Sequence, residues 1–373
     1  MNPFRLDIPR STARTLAGAV VVWSAVACAG SGTPASASAS PAGAADQSLL
    51  PGPMPARPPQ QWVGLLGEYD APAGMRLVLE DSGKLWIADT SHNASALRET
   101  SVGSSEFVVN PEDAGRILGR AAPVIKFARD AGGRSTSATV GDTRIVRRDI
   151  EPGPGTNQLR VTPVRPVAEL RVEALAASPP KEQGTFHAPE LVELTHLDPT
   201  IKLEIRYATT NNFLGTRFYD EARAFMQAPA AQAVVRAHQS LRALGYGLLI
   251  HDAYRPWYVT RMFWDATPVE KRWLVANPAE GSRHNRGSAV DLTLYEISSG
   301  RPIDMPSTYD ESTDRAFARY PGGTSLQRWH RALLRRAMEA QGFAVNPNEW
   351  WHFDFNRWRE YSIGNVAFDK IAP

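Results

Sequence analysis

Short apolar runs with a two-residue period dominate the chain between about Gln61 and Ile150. Gly, Asp, Asn or Ser bounds each run, and the runs are WVGLLGEYD, MRLVLED, KLWIAD, SEFVVN, PVIKFARD and TRIVRRD. Alternation at this period places apolar side chains on one face of a strand, and the bounding residues are typical of turns. The pattern predicts five to seven antiparallel strands that close on themselves, giving a small barrel-like all-β domain over residues 61–150.

The chain beyond about Pro189 combines helical and strand periods. Two segments have apolar residues at helical spacing and end at a glycine, namely APAAQAVVRAHQSLRALGYG and SLQRWHRALLRRAMEAQGF. Three segments predict strands, namely LLIHDAYRP, SAVDLTLYE and NEWWHFDF. Helices mixed with non-adjacent strands predict an α+β domain built on an antiparallel sheet, over residues 188–373.

Two segments without a strong pattern flank the barrel-like domain. Residues 29–60 are mostly Ala, Ser, Gly and Pro, which bury too little apolar surface to offset chain entropy, so we expect a disordered tether. Residues 151–187 are rich in proline and predict a linker. Within this linker, the run Val167 to Ala176 forms either a strand or a short helix.

The first 28 residues have the order of an export signal. Three arginines precede the apolar run LAGAVVVWSAVA. The single cysteine, Cys28, follows Ala25-Val26-Ala27, and this segment resembles a bacterial lipobox, in which the cysteine is lipidated and becomes the first mature residue. We therefore expect an exported, membrane-anchored lipoprotein that faces the periplasm or the cell exterior. Ordinary cleavage near Ala29 is the alternative.

Composition narrows the classes of partner. The chain has 373 residues, enough for two domains, and 43% hydrophobic with 21% charged residues is ordinary for a globular protein. A formal net charge of +2 and the lack of a long basic block argue against a nucleic-acid partner. One cysteine excludes a disulfide within the chain.

The segment GSRHNRGSAVDL places His284 and Asp291 seven positions apart, across a turn and into the following strand. Such a pair alone is most often found on a surface, and two ligands leave a divalent cation incompletely coordinated. His352 is the best third candidate because it lies among aromatic residues that exclude water. Two histidines and a carboxylate form a ligand set for a catalytic zinc with one open position. Glu349, three positions before His352, then suits a general base.

These motifs resemble those of the zinc D-alanyl-D-alanine dipeptidases, the family that includes the vancomycin-resistance dipeptidases. SRHNRGSAVDLTL matches the pattern S-x-H-x-x-G-x-A-x-D, and EWWH matches E-x-W-H. The similarity also covers LDPTIKLEIRYATTNNFLG, GYGLLIHDAYRP and YDE. The resemblance implies one zinc ion per chain, on His284, Asp291 and His352.

The resemblance also implies roles around the metal. Glu349 would act as general base and then as general acid, and Arg255 would stabilise the developing oxyanion. Ser282 would lie near the substrate carboxylate, while Tyr207 and Asp310 would bind the free amine.

Alternatives remain open for three of these residues from sequence alone. Arg255 could form a structural salt bridge before a proline turn, and Asp310 could be the N-cap of a helix that begins in ESTDRAF. His251 is an outside candidate for a group that supports a metal ligand.

The resemblance implies hydrolysis of the D-Ala-D-Ala dipeptide, in turnover of cell-wall precursors or salvage of peptidoglycan. The first alternative is a D,D-carboxypeptidase or endopeptidase acting on peptidoglycan stem peptides, which an exported enzyme would meet in the wall. The second is a non-catalytic, wall-binding lipoprotein.

The barrel-like domain has its own weak resemblance. Gly67-Glu68-Tyr69 and Phe127-Ala128-Arg129-Asp130 resemble motifs of a small accessory domain of some secreted serine hydrolases, which implies a structural or wall-facing role. Every candidate catalytic residue lies beyond the linker. The sequence therefore predicts that a chain starting near Gly184 folds and keeps peptidase activity.

Overall fold

The computed structural model describes residues 46–91, 93–118, 124–148 and 160–371. The predicted signal peptide with Cys28, most of the predicted tether and part of the linker lie outside the described residues. Among the helices that the structure describes, none combines the length and the apolar character needed to cross a membrane.

Eight antiparallel strands form a closed barrel in simple sequence order. The strands are β1 (Gly67–Asp70), β2 (Arg76–Asp81), β3 (Lys84–Asp89), β4 (Ala94–Glu99), β5 (Glu106–Val108), β6 (Val124–Arg129), β7 (Ser135–Val140) and β8 (Thr143–Arg147). The barrel core includes Tyr69, Phe107 and Phe127, whose rings pack edge to face at centroid distances of 5.8 and 5.6 Å. Short helices α1 (Gln60–Val63) and α2 (Pro111–Leu118) belong to the same part of the chain.

The sequence underestimated the number of barrel strands, because β4 and β7 each contain only one large apolar residue, Leu97 and Val140. Their sequences are ASALRE and STSATV. Small side chains still allow burial here: Ser95, Ser135 and Ser137 are all buried, and the hydroxyl of Ser135 donates to the Ser137 carbonyl at 3.0 Å. Strands in which serine or alanine occupies many of the buried positions give little signal in a hydrophobic pattern.

A five-stranded sheet in the order β10-β12-β13-β15-β14 forms the centre of the second domain. The strands of this domain are β9 (Leu191–Glu193), β10 (Lys202–Leu203), β11 (Phe225–Gln227), β12 (Tyr246–Asp252), β13 (Ala289–Glu296), β14 (Phe343–Asn346) and β15 (Glu349–Phe355). The predicted antiparallel sheet holds for β12 to β15, whereas the edge strand β10 pairs in parallel with β12. Strands β9 and β11 form a separate antiparallel pair.

Helices cover this sheet and complete a core rich in aromatic residues. They are α3 (Val167–Ala176), α4 (Leu194–Leu197), α5 (Ala228–Arg242), α6 (Trp257–Ala266) and α7 (Ser325–Glu339). The two long helices, α5 and α7, are those that the helical spacing predicted, and their buried faces include Val234, Leu241, Leu333 and Leu334.

Parts of the predicted linker and tether pack on the second domain, so those predictions were wrong for these parts. The run from Val167 is helix α3, which buries Leu170 and Ala174 and packs against α6. Near the start of the described chain, Leu49 is buried in the same core, and the Trp329 indole donates to the carbonyl of Gly52 at 3.0 Å. Few apolar anchors suffice for such segments, which is why their composition resembles that of a linker.

Candidate active site

Two of the proposed metal ligands are direct neighbours across paired strands. In the antiparallel register of β13 and β15, Asp291 lies opposite His352, so their side chains project from the same face of the sheet. His352 Nδ1 lies 3.0 Å from Asp291 Oδ1. Both residues are buried. The strand pairing therefore creates two thirds of the cluster.

His284 joins this pair from a short turn before β13. The turn His284–Arg286 ends at Gly287, whose φ of 64° and near contact with Leu191 leave no room for a side chain. His284 Nδ1 lies 2.7 Å from the Ala253 carbonyl, which orients the ring so that Nε2 faces the cluster. Nε2 lies 3.2 Å from His352 Nδ1 and 3.5 Å from Asp291 Oδ1.

The chemistry of this cluster fits a divalent metal. Two imidazole nitrogens and one carboxylate oxygen, all buried, lie within 4.8 Å of one another. The far nitrogen of each imidazole faces an acceptor, since His352 Nε2 lies 2.9 Å from Asp354 Oδ1, as is usual for metal-binding histidines. Burial lowers the pKa of His352, but Asp291 and Asp354 raise it well above its ordinary value. Surroundings that stabilise a proton on this imidazole equally favour a bound cation.

Tyr309 supports the cluster; the sequence analysis assigned it no role, although it begins the YDE segment. Its hydroxyl donates to Asp291 Oδ2 at 3.0 Å, which leaves Oδ1 toward the histidines. His251 stacks on the Tyr309 ring at a centroid distance of 4.7 Å. Burial lowers the pKa of His251 to about 3, so this ring is neutral at pH 7. His251 thus supports Tyr309 and does not contact the cluster through its own nitrogens.

Glu349 lies beside the cluster without belonging to it. It begins β15, and its Oε2 is 3.8 Å from His352 Nδ1. Asn346, at the other end of the hairpin, donates to this oxygen at 3.1 Å. About 41% of the Glu349 side chain is exposed, so the carboxylate faces the open cleft, unlike the buried ligands. Desolvation raises the pKa of Glu349, with the His352 charge opposing this effect.

Arg255 lies between the end of β12 and the start of α6 and also lines the cleft. Its Nε and Nη2 donate to Asp252 Oδ2 at 3.0 and 2.6 Å, and the guanidinium stacks over the rings of Tyr207 and Phe263. Burial alone would lower its pKa, but Asp252 raises it well above the ordinary value. The salt bridge that the sequence left as an alternative is present, and it holds a fixed positive charge in the cleft.

Tyr207 and Asp310 form a hydrogen-bonded pair that also lines the cleft. The Tyr207 hydroxyl donates to Asp310 Oδ2 at 3.0 Å. Asp310 has a φ of 59°, a left-handed conformation that aspartate adopts more readily than most residues. The following 3₁₀ turn is capped by Thr313, so Asp310 is not the N-cap that the sequence allowed. Burial and the Asp291 charge raise the pKa of Asp310 to about 8, so a cationic partner would stabilise its carboxylate.

The three members of the cluster, Glu349, Arg255, Tyr207 and Asp310 all line one cleft with a volume of about 680 Å³. Ser282 also lines it; its backbone amide donates to Asn285 Oδ1 at 2.7 Å, and its hydroxyl accepts from the Asn285 backbone amide at 3.3 Å. Eight residues proposed from the sequence line this cleft: Tyr207, Arg255, Ser282, His284, Asp291, Asp310, Glu349 and His352.

Known proteins match the second domain of this chain. The family model of the D-Ala-D-Ala dipeptidases matches residues 187–361. A D-alanyl-D-alanine dipeptidase of Escherichia coli is 33% identical over 174 residues, which cover 47% of this chain and 89% of the relative. This chain belongs to the D-Ala-D-Ala dipeptidase family.

Further relatives of the dipeptidase family show the same coverage. D-alanyl-D-alanine dipeptidases of Enterococcus faecalis and Enterococcus faecium are 33% and 30% identical, over 85% and 91% of their own lengths. The match spans the sheet and the cleft, whereas the barrel lies before residue 187. The barrel is therefore an addition to the region shared with these family members.

The contact of Tyr309 with Asp291 predicts an effect on metal affinity. Tyr309→Phe removes the hydroxyl and keeps the ring, so Asp291 loses a partner that orients it. We expect divalent-metal affinity to fall about 10- to 100-fold, as is typical for such supporting groups, when measured by competition with a chelator. Tyr295→Phe is the matched control, since this buried hydroxyl on β13 donates to the Thr200 carbonyl. Equal affinities in both variants would contradict the role of Tyr309.

Proposed function

We propose that this chain is a zinc-dependent dipeptidase that hydrolyses D-alanyl-D-alanine to two D-alanines. The observation that carries the proposal is the buried cluster of His284, Asp291 and His352, flanked in one cleft by Glu349 and Arg255. Relatives named D-alanyl-D-alanine dipeptidase, of which this chain covers 85 to 91%, support the substrate.

His284, Asp291 and His352 would hold one zinc ion, because two imidazoles and a carboxylate are a common catalytic ligand set. Zinc in such a site lowers the pKa of a water molecule and polarises a carbonyl oxygen. Asp291 offsets one of the two positive charges. Burial of the ligands keeps the remaining charge strong in the cleft.

Glu349 is the proton carrier in this proposal. Its carboxylate faces the cleft next to the cluster and is held by Asn346, so it can accept the proton of the attacking water. The same group then delivers that proton to the leaving amine. Burial raises the pKa of this carboxyl above its ordinary value, which favours its serving as proton donor as well as acceptor.

Arg255 would stabilise the negative charge that develops on the carbonyl oxygen. Asp252 and the flanking aromatic rings fix the guanidinium before substrate binds, so no reorganisation is needed during the reaction. Tyr219 fixes Asp252 in turn, since its hydroxyl donates to Asp252 Oδ1 at 2.7 Å.

The two ends of a free dipeptide carry opposite charges and need opposite partners. Asp310, oriented by Tyr207, would bind the ammonium group, whose charge would relieve the cost of the buried carboxylate. Ser282 would donate its hydroxyl to the substrate carboxylate. An acylated nitrogen has no charge for Asp310, which favours the dipeptide over a longer peptide.

A D,D-carboxypeptidase or endopeptidase acting on peptidoglycan stems is the second candidate. The observation in its favour is the cleft volume of about 680 Å³, which exceeds what two alanines fill. The distinction depends on whether the amine side of the cleft accepts a substituted nitrogen.

Metal binding and proton transfer are separable by substitution. His352→Ala should lose zinc and activity together, because two ligands remain. Glu349→Gln should keep about one zinc per chain while kcat on D-Ala-D-Ala falls about 10²- to 10⁴-fold. Metal analysis and release of D-alanine measure the two effects. A zinc-free parent protein, or parent-level turnover in Glu349→Gln, would contradict the mechanism.

Asp310 distinguishes the two candidate substrates. For D-Ala-D-Ala, Asp310→Asn should raise KM about 10- to 100-fold, as expected for loss of one charge-assisted contact. The parent enzyme should prefer the free dipeptide to N-acetyl-D-Ala-D-Ala and to a pentapeptide stem, measured by product mass. Preference for the pentapeptide, with KM insensitive to Asp310→Asn, would favour the carboxypeptidase instead.

We also propose export and lipid anchoring through Cys28, on the basis of its position after the apolar run. In cells, the mature protein should then partition with membranes, because a lipidated cysteine buries its chains in the bilayer. Cys28→Ala should block processing or release the protein from the membrane fraction. A processed Cys28→Ala protein that still fractionates with membranes would rule out this anchor.

A further inference from the structure

One wall of the cleft is an irregular segment, residues 311–323, here called the cleft wall. Residues 311–314, 316 and 317 line the cleft. The cleft wall contains only one short 3₁₀ turn, Asp314–Ala316, so it has little regular structure of its own. Its position must therefore come from contacts with other parts of the molecule.

The barrel provides an apolar contact for this segment. Phe317 and Tyr320 pack against Leu77 and Leu79 of β2, in a small cluster separate from both domain cores. Tyr320 is buried, and its hydroxyl donates to Glu68 of β1 at 3.1 Å. Phe317 also lines the cleft, so its side chain contacts both the barrel and the space in which substrate would bind.

A buried carboxylate of the barrel holds the end of the cleft wall. Glu80 is 1% exposed, and its Oε2 accepts from the backbone amide of Ser325, the first residue of α7, at 2.7 Å. A negative charge at this position also interacts favourably with the helix dipole. The backbone N–H of Glu80 donates to the backbone carbonyl of Gly323, the last residue of the cleft wall, at 3.1 Å.

Arg328 adds a second polar contact one turn into α7. Its Nη2 donates to Asp81 Oδ1 at 2.6 Å and to the Glu80 carbonyl at 2.8 Å. Its Nη1 lies 3.3 Å from the Gly323 carbonyl. A single guanidinium thus joins the barrel, the helix and the cleft wall.

We infer that the barrel is a positioning element of the substrate cleft, in which Glu80 and Arg328 hold the cleft wall at the distance that substrate binding requires. None of the three metal ligands lies on this segment, since they come from β13, β15 and the turn at His284. Loosening the barrel contact should therefore weaken substrate binding and leave metal binding intact. A peptidase domain without the barrel would lack this support.

For its kinetic test, the inference rests on the proposed function. In the full-length protein, Arg328→Met and Glu80→Gln should each raise KM for D-Ala-D-Ala about tenfold, the equivalent of about 1.4 kcal/mol. Zinc content should stay at the parent value and kcat within about twofold. The matched control is Arg335→Met on the same helix, whose partner is Glu339 of that helix and not the barrel. This control should behave as the parent.

Hydrogen exchange provides a readout that needs no activity. Backbone amides of the cleft wall should exchange about tenfold faster in Arg328→Met than in Arg335→Met, while those of β13 and β15 should not change. If the parent does not cleave the dipeptide, the proposed function fails, but this comparison still tests the positioning of the wall.

Each combination of kinetic and exchange results either supports or contradicts the inference. A tenfold rise in KM with faster exchange confined to the cleft wall supports the inference. Unchanged KM and exchange in folded Arg328→Met, or loss of zinc in place of the rise in KM, would overturn it. Arg328 is partly exposed, so this variant keeps the test available if Glu80→Gln does not fold.

Discussion

The register between β13 and β15 is the constraint on which the site depends. It places Asp291 directly opposite His352 and brings their side chains to 3.0 Å on a buried face. Because side chains alternate along a strand, a shift of one residue would turn one of these groups to the other face. Burial of both faces of β13 opposes such a shift, since seven of its eight residues are buried.

Convergence of electron-pair donors in a buried space is unfavourable unless a cation is present. Without a cation, Asp291 and the two imidazoles would desolvate one another. Hydrogen bonds to neighbouring groups offset part of this unfavourable free energy. The Ala253 carbonyl, Asp354 and Tyr309 each restrain one member of the cluster. The site is thus oriented before a metal binds, and the cation would find its ligands already in place.

The local sequence was sufficient to predict most of the site residues, but not the residues that hold them in position. A turn with glycine followed by an alternating strand was sufficient to propose His284 and Asp291, because their spacing is set by local geometry. Tyr309 contacts Asp291 from a segment without a periodic pattern, and no local feature marks that contact. Helix α3 was ambiguous for a related reason, since only Leu170 and Ala174 of its ten residues are buried. Contacts made by a few side chains from irregular segments leave almost no signal in hydrophobic patterning.

Hydrophobic patterning also does not detect contacts between distant parts of the chain, which is why the sequence predicted two independent domains. The compositional boundary near residue 150 is real, but Glu80 and Ser325 meet although 245 positions separate them. A buried carboxylate that accepts from a helix N-terminus is costly to expose unpaired on either side, so the contact favours one fixed arrangement of barrel and catalytic domain. The catalytic sheet supplies the chemistry from regular strands, whereas the substrate-facing wall is irregular and is held by contacts from its own domain and from the barrel. An appended barrel can therefore adjust substrate binding without contacting a single reacting atom.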